Sequence, residues 1–517
     1  MKLESYLEGR WQAGTGEGRA LVDPVSGEEI ARADASGLDV AAALAHARDK
    51  GGAALAALTF AERGALLKAI ADALQAKRPD YDAVARENSG NTAADAAVDI
   101  DGGIFTLRTY ARLGKALGDA RSVIEPGQEP LARDPVFFAR HLWTTRPGVA
   151  VQINAFNFPS WGMWEKIAQA TLAGVPSFAK PATATAMLSE RMVKDVIAAG
   201  VVPDGVLSLL CGSADGLVLA LGPMDSVAFT GSAATGLVLR RQLAEMAAAP
   251  RLTIEADSVN ATVIGPDAAP GTALFDLAVR EATKALSVKA GQLCTNIRRI
   301  FVPASMAKEF VAALGARVEA LAVGDPADAA TRVGPLINAS QRDEARSSIE
   351  RLSAETEIVA QATLPEVAAG SGFVAPTLLS CIDPAGARLV HEIEVFGPCS
   401  TVLPYGDLGE AIALGTRAEG SLALSLFSDD AEVQAAVVSG LGPWHGRLLL
   451  VDQEVGKAHS GHAIVMPQCV HGGPGRAGGG EELGGQRGLR FHMQRTALQA
   501  GPGALSRLSA DAVEQTL

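Results

Sequence analysis

Ser226-Val-Ala-Phe-Thr-Gly-Ser-Ala-Ala-Thr-Gly236 reads as an apolar strand, a tight glycine turn and the opening of a helix. Gly231 and Gly236 bracket the turn. Backbone N–H groups at a helix start, with the Ser232 hydroxyl, suit a pyrophosphate. The spacing is not GxGxxG, so the stretch alone leaves a plain turn open. Its surroundings carry more. From Pro147 onward strand, turn and helix alternate: strand over 149–153, helix over 161–174, strand end at 177–180, helix over 187–200, strand over 206–210, short helix over 213–221. That rhythm predicts a parallel sheet with helices on both faces. A βα pattern returns over 261–450 and predicts a second α/β lobe.

Residues 1–33 form a strand-and-turn entry, with Asp23-Pro24 and Ser26-Gly27 as turn signals. Residues 38–118 are rich in Ala and Leu at helical spacing, as in Ala65, Leu66, Ile70 and Leu74. Phe137 to Arg146 has strand propensity between breaks and is a candidate arm for subunit contacts. The run Gly472-Gly-Pro-Gly-Arg-Ala-Gly-Gly-Gly480 lacks the Lys-Ser/Thr of a phosphate loop and reads as a mobile loop.

Bulk properties narrow the class. The chain has 517 residues, 48% of them apolar and 20% charged, with mean hydropathy +0.18. That length and balance imply a large globular enzyme with more than one lobe. A formal charge of −13 argues against nucleic acid or an anionic membrane as partner. No apolar stretch approaches a membrane span, and the N-terminus has no apolar signal core. The five cysteines are scattered, with no CxxC, so neither a disulfide framework nor a metal site is expected; a cytoplasmic setting fits.

Several residues could carry chemistry. Cys294 lies in Lys289-Ala-Gly-Gln-Leu-Cys-Thr-Asn-Ile-Arg-Arg299, a loop that presents a thiol before an apolar run. The thiolate is the nucleophile, so a catalytic Cys needs help nearby. Thr253-Ile-Glu255 ends an apolar strand with a carboxylate, which is costly to bury without a partner or a task and could serve as a base for water. Asn154-Ala-Phe-Asn-Phe-Pro-Ser160 follows another strand, where a side-chain amide can donate to an oxyanion. Lys180-Pro-Ala-Thr183 sits at a strand end, where a Lys can meet ribose or phosphate. Each has a plain structural alternative: buried thiol, paired carboxylate, turn Asn, solvated Lys.

Asn157, Lys180, the glycine turn, Glu255, Cys294 and Glu394-Val-Phe-Gly-Pro398 occur together in one order. In this the chain resembles the aldehyde dehydrogenase superfamily over nearly its whole length. Ile254-Glu-Ala-Asp-Ser-Val-Asn260, Cys294-Thr-Asn-Ile-Arg-Arg299 and the segment His471 to Gly484 resemble the branch acting on semialdehydes of CoA thioesters in aromatic degradation. The resemblance implies a Rossmann-like cofactor domain (1–120 and 147–255), an α/β catalytic domain (256–470) and a β-ribbon oligomerisation arm (121–146 with 471–517). A homodimer is then the minimum assembly.

The same resemblance implies roles. Cys294 attacks the aldehyde, Asn157 and the Cys294 N–H hold the oxyanion, and Glu255 activates water. Lys166 contacts Glu255 and relays protons. Lys180, Gly231, Ser232 and Gly236 hold the adenosine side and pyrophosphate of the cofactor, Glu394 the nicotinamide ribose, and Phe396 backs the nicotinamide. NAD-preferring relatives often carry Glu at the position of Thr183; a neutral Thr beside Lys180 implies NADP, with NAD a poorer oxidant. Most relatives have Leu-Gly-Gly-Lys after the Glu, whereas this chain has Ala256-Asp-Ser-Val259, which leaves the orientation of Glu255 to the structure. Rival readings are a general aliphatic aldehyde dehydrogenase, a CoA-acylating one, for which Glu255 is not needed, and a catalytically silent binding protein.

Overall fold

The apolar runs of the first lobe form one twisted sheet in the computed structural model, which describes residues 1–517. Its strands lie in the order Arg251–Glu255, Ser226–Thr230, Ala150–Ile153, Ser177–Lys180, Leu207–Leu209, Ser5–Leu7 and Arg10–Gln12. The first five are parallel and the last two antiparallel. The chain starts the parallel part at Ala150–Ile153, runs outward on one side, then returns to the other side with Ser226–Thr230. The strand order therefore reverses between these neighbours, and crevices open at the carboxyl ends of strands at such a point. Val149, Val151, Phe178, Phe229 and Ile254 pack into one layer, and Met163, Trp164, Ile167 and Val193 into the layer opposite. Alternation along each strand puts apolar side chains on both faces, as a doubly covered sheet requires.

The second lobe repeats the plan. Its strands run Thr356–Gln361, Thr377–Cys381, Cys399–Tyr405, Arg299–Pro303, Ala261–Ile264, Ser421–Phe427 and His445–Val451, all parallel except the first. Ile300 and Val302 enter one core layer and Phe301 the other. A third sheet joins Met493–Ala500, Phe138–Thr145, Ser122–Ile124 and Ala512–Glu514, with Met493 opposite Thr145 and Ala500 opposite Phe138. No helix is long and apolar enough to cross a membrane.

Three local expectations change. The helix expected over 213–221 is only a 3₁₀ turn, Val218–Ala220, because Gly216 takes φ +77° and interrupts it. Gly236 does not close the strand-to-helix turn; it lies inside the helix Ala233–Ala244, where a Cβ would stand 3.3 Å from Ile254 Cγ2. Its smallness brings helix and strand together. The glycine-rich run is packed, not free. The Ala256 N–H donates to Ala477 O (2.9 Å) and the Gly480 N–H to Ile254 O (3.1 Å), which fastens the loop to both sides of Glu255.

Candidate active site

Cys294 is held in place by its own loop. Lys289, Ala290 and Gly291 have φ of +48°, +51° and +70°, a left-handed run that only Gly adopts without cost. Side chains from elsewhere support it. The Lys289 N–H donates to Asp95 (2.7 Å), and Asn260 Nδ2 donates to Cys294 O (2.8 Å). Gly291 allows close approach: a Cβ there would fall 2.3 Å from Gly397 O, so the thiol loop touches the Glu394–Pro398 segment.

Glu255 is the last residue of its strand and is buried. Its Oε2 lies 2.7 Å from His471 Nε2, and Oε1 has no hydrogen-bond partner. The same His471 nitrogen is 3.9 Å from Cys294 Sγ. Burial works to raise the Glu255 carboxyl, but the ion pair with His471 outweighs it and holds the group down at about 2. Burial, then the Glu255 charge, push the Cys294 thiol up to about 11, against the pull of His471.

Cys294 and Glu255 stand where two spaces meet. One is a cleft of about 560 Å³ that Thr230, Gly231, Ser232, Glu394 and Phe396 line with them. The other is a narrow recess of about 50 Å³ walled by Phe158, Trp161, Lys166 and His471. A thiol at such a junction can be reached by two different molecules at once.

The remaining expected residues divide. Asn157 is buried, and its Nδ2 donates to Gln292 O (3.0 Å), so the amide faces the thiol loop with a second N–H in hand. Ser232 caps the helix, accepting from the Thr235 N–H (3.3 Å). Glu394 accepts from the Ser258 N–H (2.9 Å) and faces Arg298 (3.5 Å); burial nevertheless pushes it up to about 7. Phe396 packs edge-on against Phe156, ring centroids 5.4 Å apart. Lys180 and Thr183 do not line the cleft; they occupy the neighbouring strand end. Lys180 makes no ion pair and has Arg19 among its charged neighbours. Thr183 Oγ1 donates to Gly212 O (3.1 Å), so its hydroxyl proton is committed to the backbone.

One implied contact is not made. Lys166 Nζ pairs with Glu482 (3.0 Å) and Glu165 (3.5 Å), not with Glu255, whose partner is His471. The reason is the ribbon Val470–Gly472 and Glu481–Leu483, in which His471 and Glu482 are directly opposite. It carries His471 to Glu255 and Glu482 to Lys166, side by side. The chain segment holding His471 is conspicuous in the sequence, but nothing local shows where the imidazole points. Asp257, in the departure after Glu255, accepts from the Ala233 N–H (3.0 Å) at the helix start.

A half-buried thiol, a carboxylate with one oxygen free and an amide beside the thiol loop, at the switch point of a parallel sheet, suit covalent chemistry on a carbonyl. The chain belongs to the aldehyde dehydrogenase family, which it matches over residues 11–497. It is 48% identical over 479 residues to the 3,4-dehydroadipyl-CoA semialdehyde dehydrogenase of Aromatoleum evansii, a match spanning 92% of this chain and 93% of that one. Among solved structures it is similar to PnpE from Pseudomonas sp. WBC-3 (TM-score 0.83, 25% identity, 97% of this chain and 98% of that one). It is equally similar to a betaine aldehyde dehydrogenase variant from Staphylococcus aureus in complex with NAD+ (TM-score 0.83, 25% identity, 96% of each chain). The protein is thus an oxidoreductase of the aldehyde dehydrogenase fold.

Proposed function

We propose that the chain oxidises a CoA-linked semialdehyde, 3,4-dehydroadipyl-CoA semialdehyde, to the carboxylic acid with NADP+ and water, as a step in aromatic (benzoate) degradation. The observation that carries this reading is the 48% identity, over nearly the full length of both chains, to the relative of that name. The cleft suits a nicotinamide nucleotide: Glu394, Phe396 and the glycine turn line it together with Glu255 and Cys294. Thr230 Oγ1 and Glu394 Oε1 there lack hydrogen-bond partners. Once bound, the cofactor would accept the hydride released from the substrate carbon.

The chain's residues supply the rest. Cys294 Sγ attacks the aldehyde carbon from the junction of the two spaces. The oxyanion is held by Asn157 Nδ2 and the Cys294 N–H, preorganised donors that act where charge develops. Loss of hydride leaves a thioester on Cys294. Glu255 Oε1, free of partners, takes a proton from water, which attacks the thioester and releases the acid. The buried carboxylate favours hydrolysis over transfer to CoA. Lys166, with Glu482 and Glu165, offers a path for the proton to leave.

NADP+ is preferred in this reading because no carboxylate faces the Lys180 strand end from position 183. With its hydroxyl committed to Gly212 O, Thr183 acts by being neutral, and Lys180 and Arg19 supply positive charge against the nearby Asp215 carboxylate. The sheet containing Phe138–Thr145 and Met493–Ala500, with the exposed Leu131 and Val136 beside it, serves as the arm of a homodimer. The deciding experiment compares kcat/KM for a CoA-linked semialdehyde and for hexanal, each with NADP+ and NAD+. A higher value for the CoA substrate with NADP+ is expected; a preference for hexanal would overturn the substrate assignment.

A further inference from the structure

Two groups in the recess must each be an anion during the proposed cycle, and they are neighbours. Cys294 attacks as a thiolate; Glu255 takes a proton from water as a carboxylate. Two negative charges side by side in a partly buried site raise each other's energy. His471 Nε2 stands 2.7 Å from Glu255 Oε2 and 3.9 Å from Cys294 Sγ, within reach of either. The recess's other cation, Lys166, is engaged by Glu482 (3.0 Å) and Glu165 (3.5 Å). His471 is buried, and its ribbon is fixed by the backbone bonds from Ala256 and Gly480, so its position is set by the fold.

We propose that His471 is a further catalytic residue: as an imidazolium it is the shared counter-charge of Glu255 and Cys294, so that the three groups together carry no net charge before and after the thiol proton passes to Glu255. The proposal rests on the aldehyde-oxidation reading of this site. Before transfer, carboxylate and imidazolium cancel and the thiol is neutral. In the transfer the S–H bond breaks and an O–H bond forms on Glu255. The imidazolium then faces a thiolate, and the sum is again zero. Sγ bonds to the carbonyl carbon as the C=O electron pair moves to oxygen; the step consumes no oxidant or reductant. Without His471 the pair Glu255 and Cys294 would carry one net negative charge throughout, with no cation in contact with it.

His471 holds the Glu255 carboxyl low while burial holds the Cys294 thiol high, so the proton transfer is uphill and the attack on the carbonyl draws it forward. Burial favours neutral imidazole, yet the Glu255 charge and the contact with Cys294 raise His471 well above its ordinary value. The other charged groups about the three are Glu165 and Lys166 on the helix Trp161–Ala173, Glu482 across the ribbon, and Arg298 and Arg447 beyond Cys294. Lys166 is engaged by Glu482 and Glu165, Arg298 by Glu394 and Arg447 by His462 O, which leaves His471 to Glu255 and Cys294.

The test is the rate of Cys294 alkylation by iodoacetamide as a function of pH, in enzyme without aldehyde, with the modified peptide identified by mass. His471→Gln is expected to slow alkylation near neutral pH by about tenfold or more, the thiolate lost per unit rise in the thiol's pKa, and to move the inflection to higher pH. His471→Lys, which restores a cation, is expected to recover most of the rate. Thermal unfolding verifies the fold, and His471→Asn carries the same expectation should the Gln variant fail to fold. An unchanged profile in the neutral variants overturns the proposal, as does equal slowing in the Lys variant, which would show that shape and not charge matters. Because no substrate is present, a wrong substrate assignment would leave this result untouched.

Discussion

His471 Nε2 and Glu255 Oε2 are 2.7 Å apart inside the protein. A carboxylate at the end of an apolar strand is thereby compensated, and its second oxygen stays open toward Cys294 and the water that must follow.

Glu255→Gln should separate the two halves of the reaction. Cys294 can still form the thioester, so one burst of reduced cofactor is expected, followed by a steady rate lower by roughly 10²–10⁴, the usual worth of a positioned base. Stopped-flow absorbance of NADPH reports both phases. An unaltered steady rate would remove Glu255 from the water step.

Asn157→Ala removes an oxyanion donor and also the bond to Gln292 O. A fall in kcat of roughly 10²–10³ with little change in KM is expected for the lost donor. Steady-state kinetics measure it. A rise in KM with kcat intact would assign Asn157 to binding alone.

Thr183→Glu should weaken use of NADP+ far more than use of NAD+, because a carboxylate repels a 2′-phosphate and accepts from ribose hydroxyls. The ratio of kcat/KM values for the two cofactors reads this directly. If the parent enzyme already favours NAD+, neutrality at this position is not the determinant.

Gly478→Ala would place a Cβ 2.2 Å from Ile254 O at a residue with φ +110°. The loop must lift from the strand that carries Glu255. Loss of about 1–3 kcal/mol of stability is expected, together with reduced kcat. Gly442→Ala is the control, since a Cβ there meets nothing within 4 Å and its φ is −54°. Thermal unfolding of both variants tests the contrast; similar Tm values would mean that the loop does not bear on the strand.

Glu394 predicts a pH dependence. Burial raises its carboxyl from 4.5 to about 7, with Arg298 and the Ser258 N–H pulling the other way. A carboxyl raised in the folded state stabilises fully below its unfolded value, and that contribution is lost as pH rises through the folded value. Glu394→Gln cannot ionise, so its Tm relative to the parent should be more favourable above about pH 7 than below about pH 5. Glu165, also raised to about 7 by burial, is present in both proteins and cancels. A Tm difference that does not vary with pH would place the Glu394 carboxyl at its ordinary value.

Much of this site was legible before any coordinates. Asn157 follows a strand, Glu255 ends one and Cys294 precedes one; Glu255 and Cys294 line both the cleft and the recess, and Asn157 bonds the thiol loop at Gln292 O. Gly236 and the run 472–480 stand out in the sequence, but a glycine needed for close approach and one needed for a free turn look alike there. The short helix at 213–221 failed for a local reason, the positive φ of Gly216.

By itself the amino-acid sequence determined the alternation of strands and helices, the two α/β lobes and the order of thiol, carboxylate and amide, since these rest on periodicity and local chemistry. Only the tertiary structure decided which charge meets which. It pairs Lys166 with Glu482 instead of Glu255, commits the Thr183 hydroxyl to Gly212 O, and brings His471 between Glu255 and Cys294. The physical reason is that these contacts join segments distant in the chain through strand register and loop packing, and no short stretch of residues encodes where another stretch will lie.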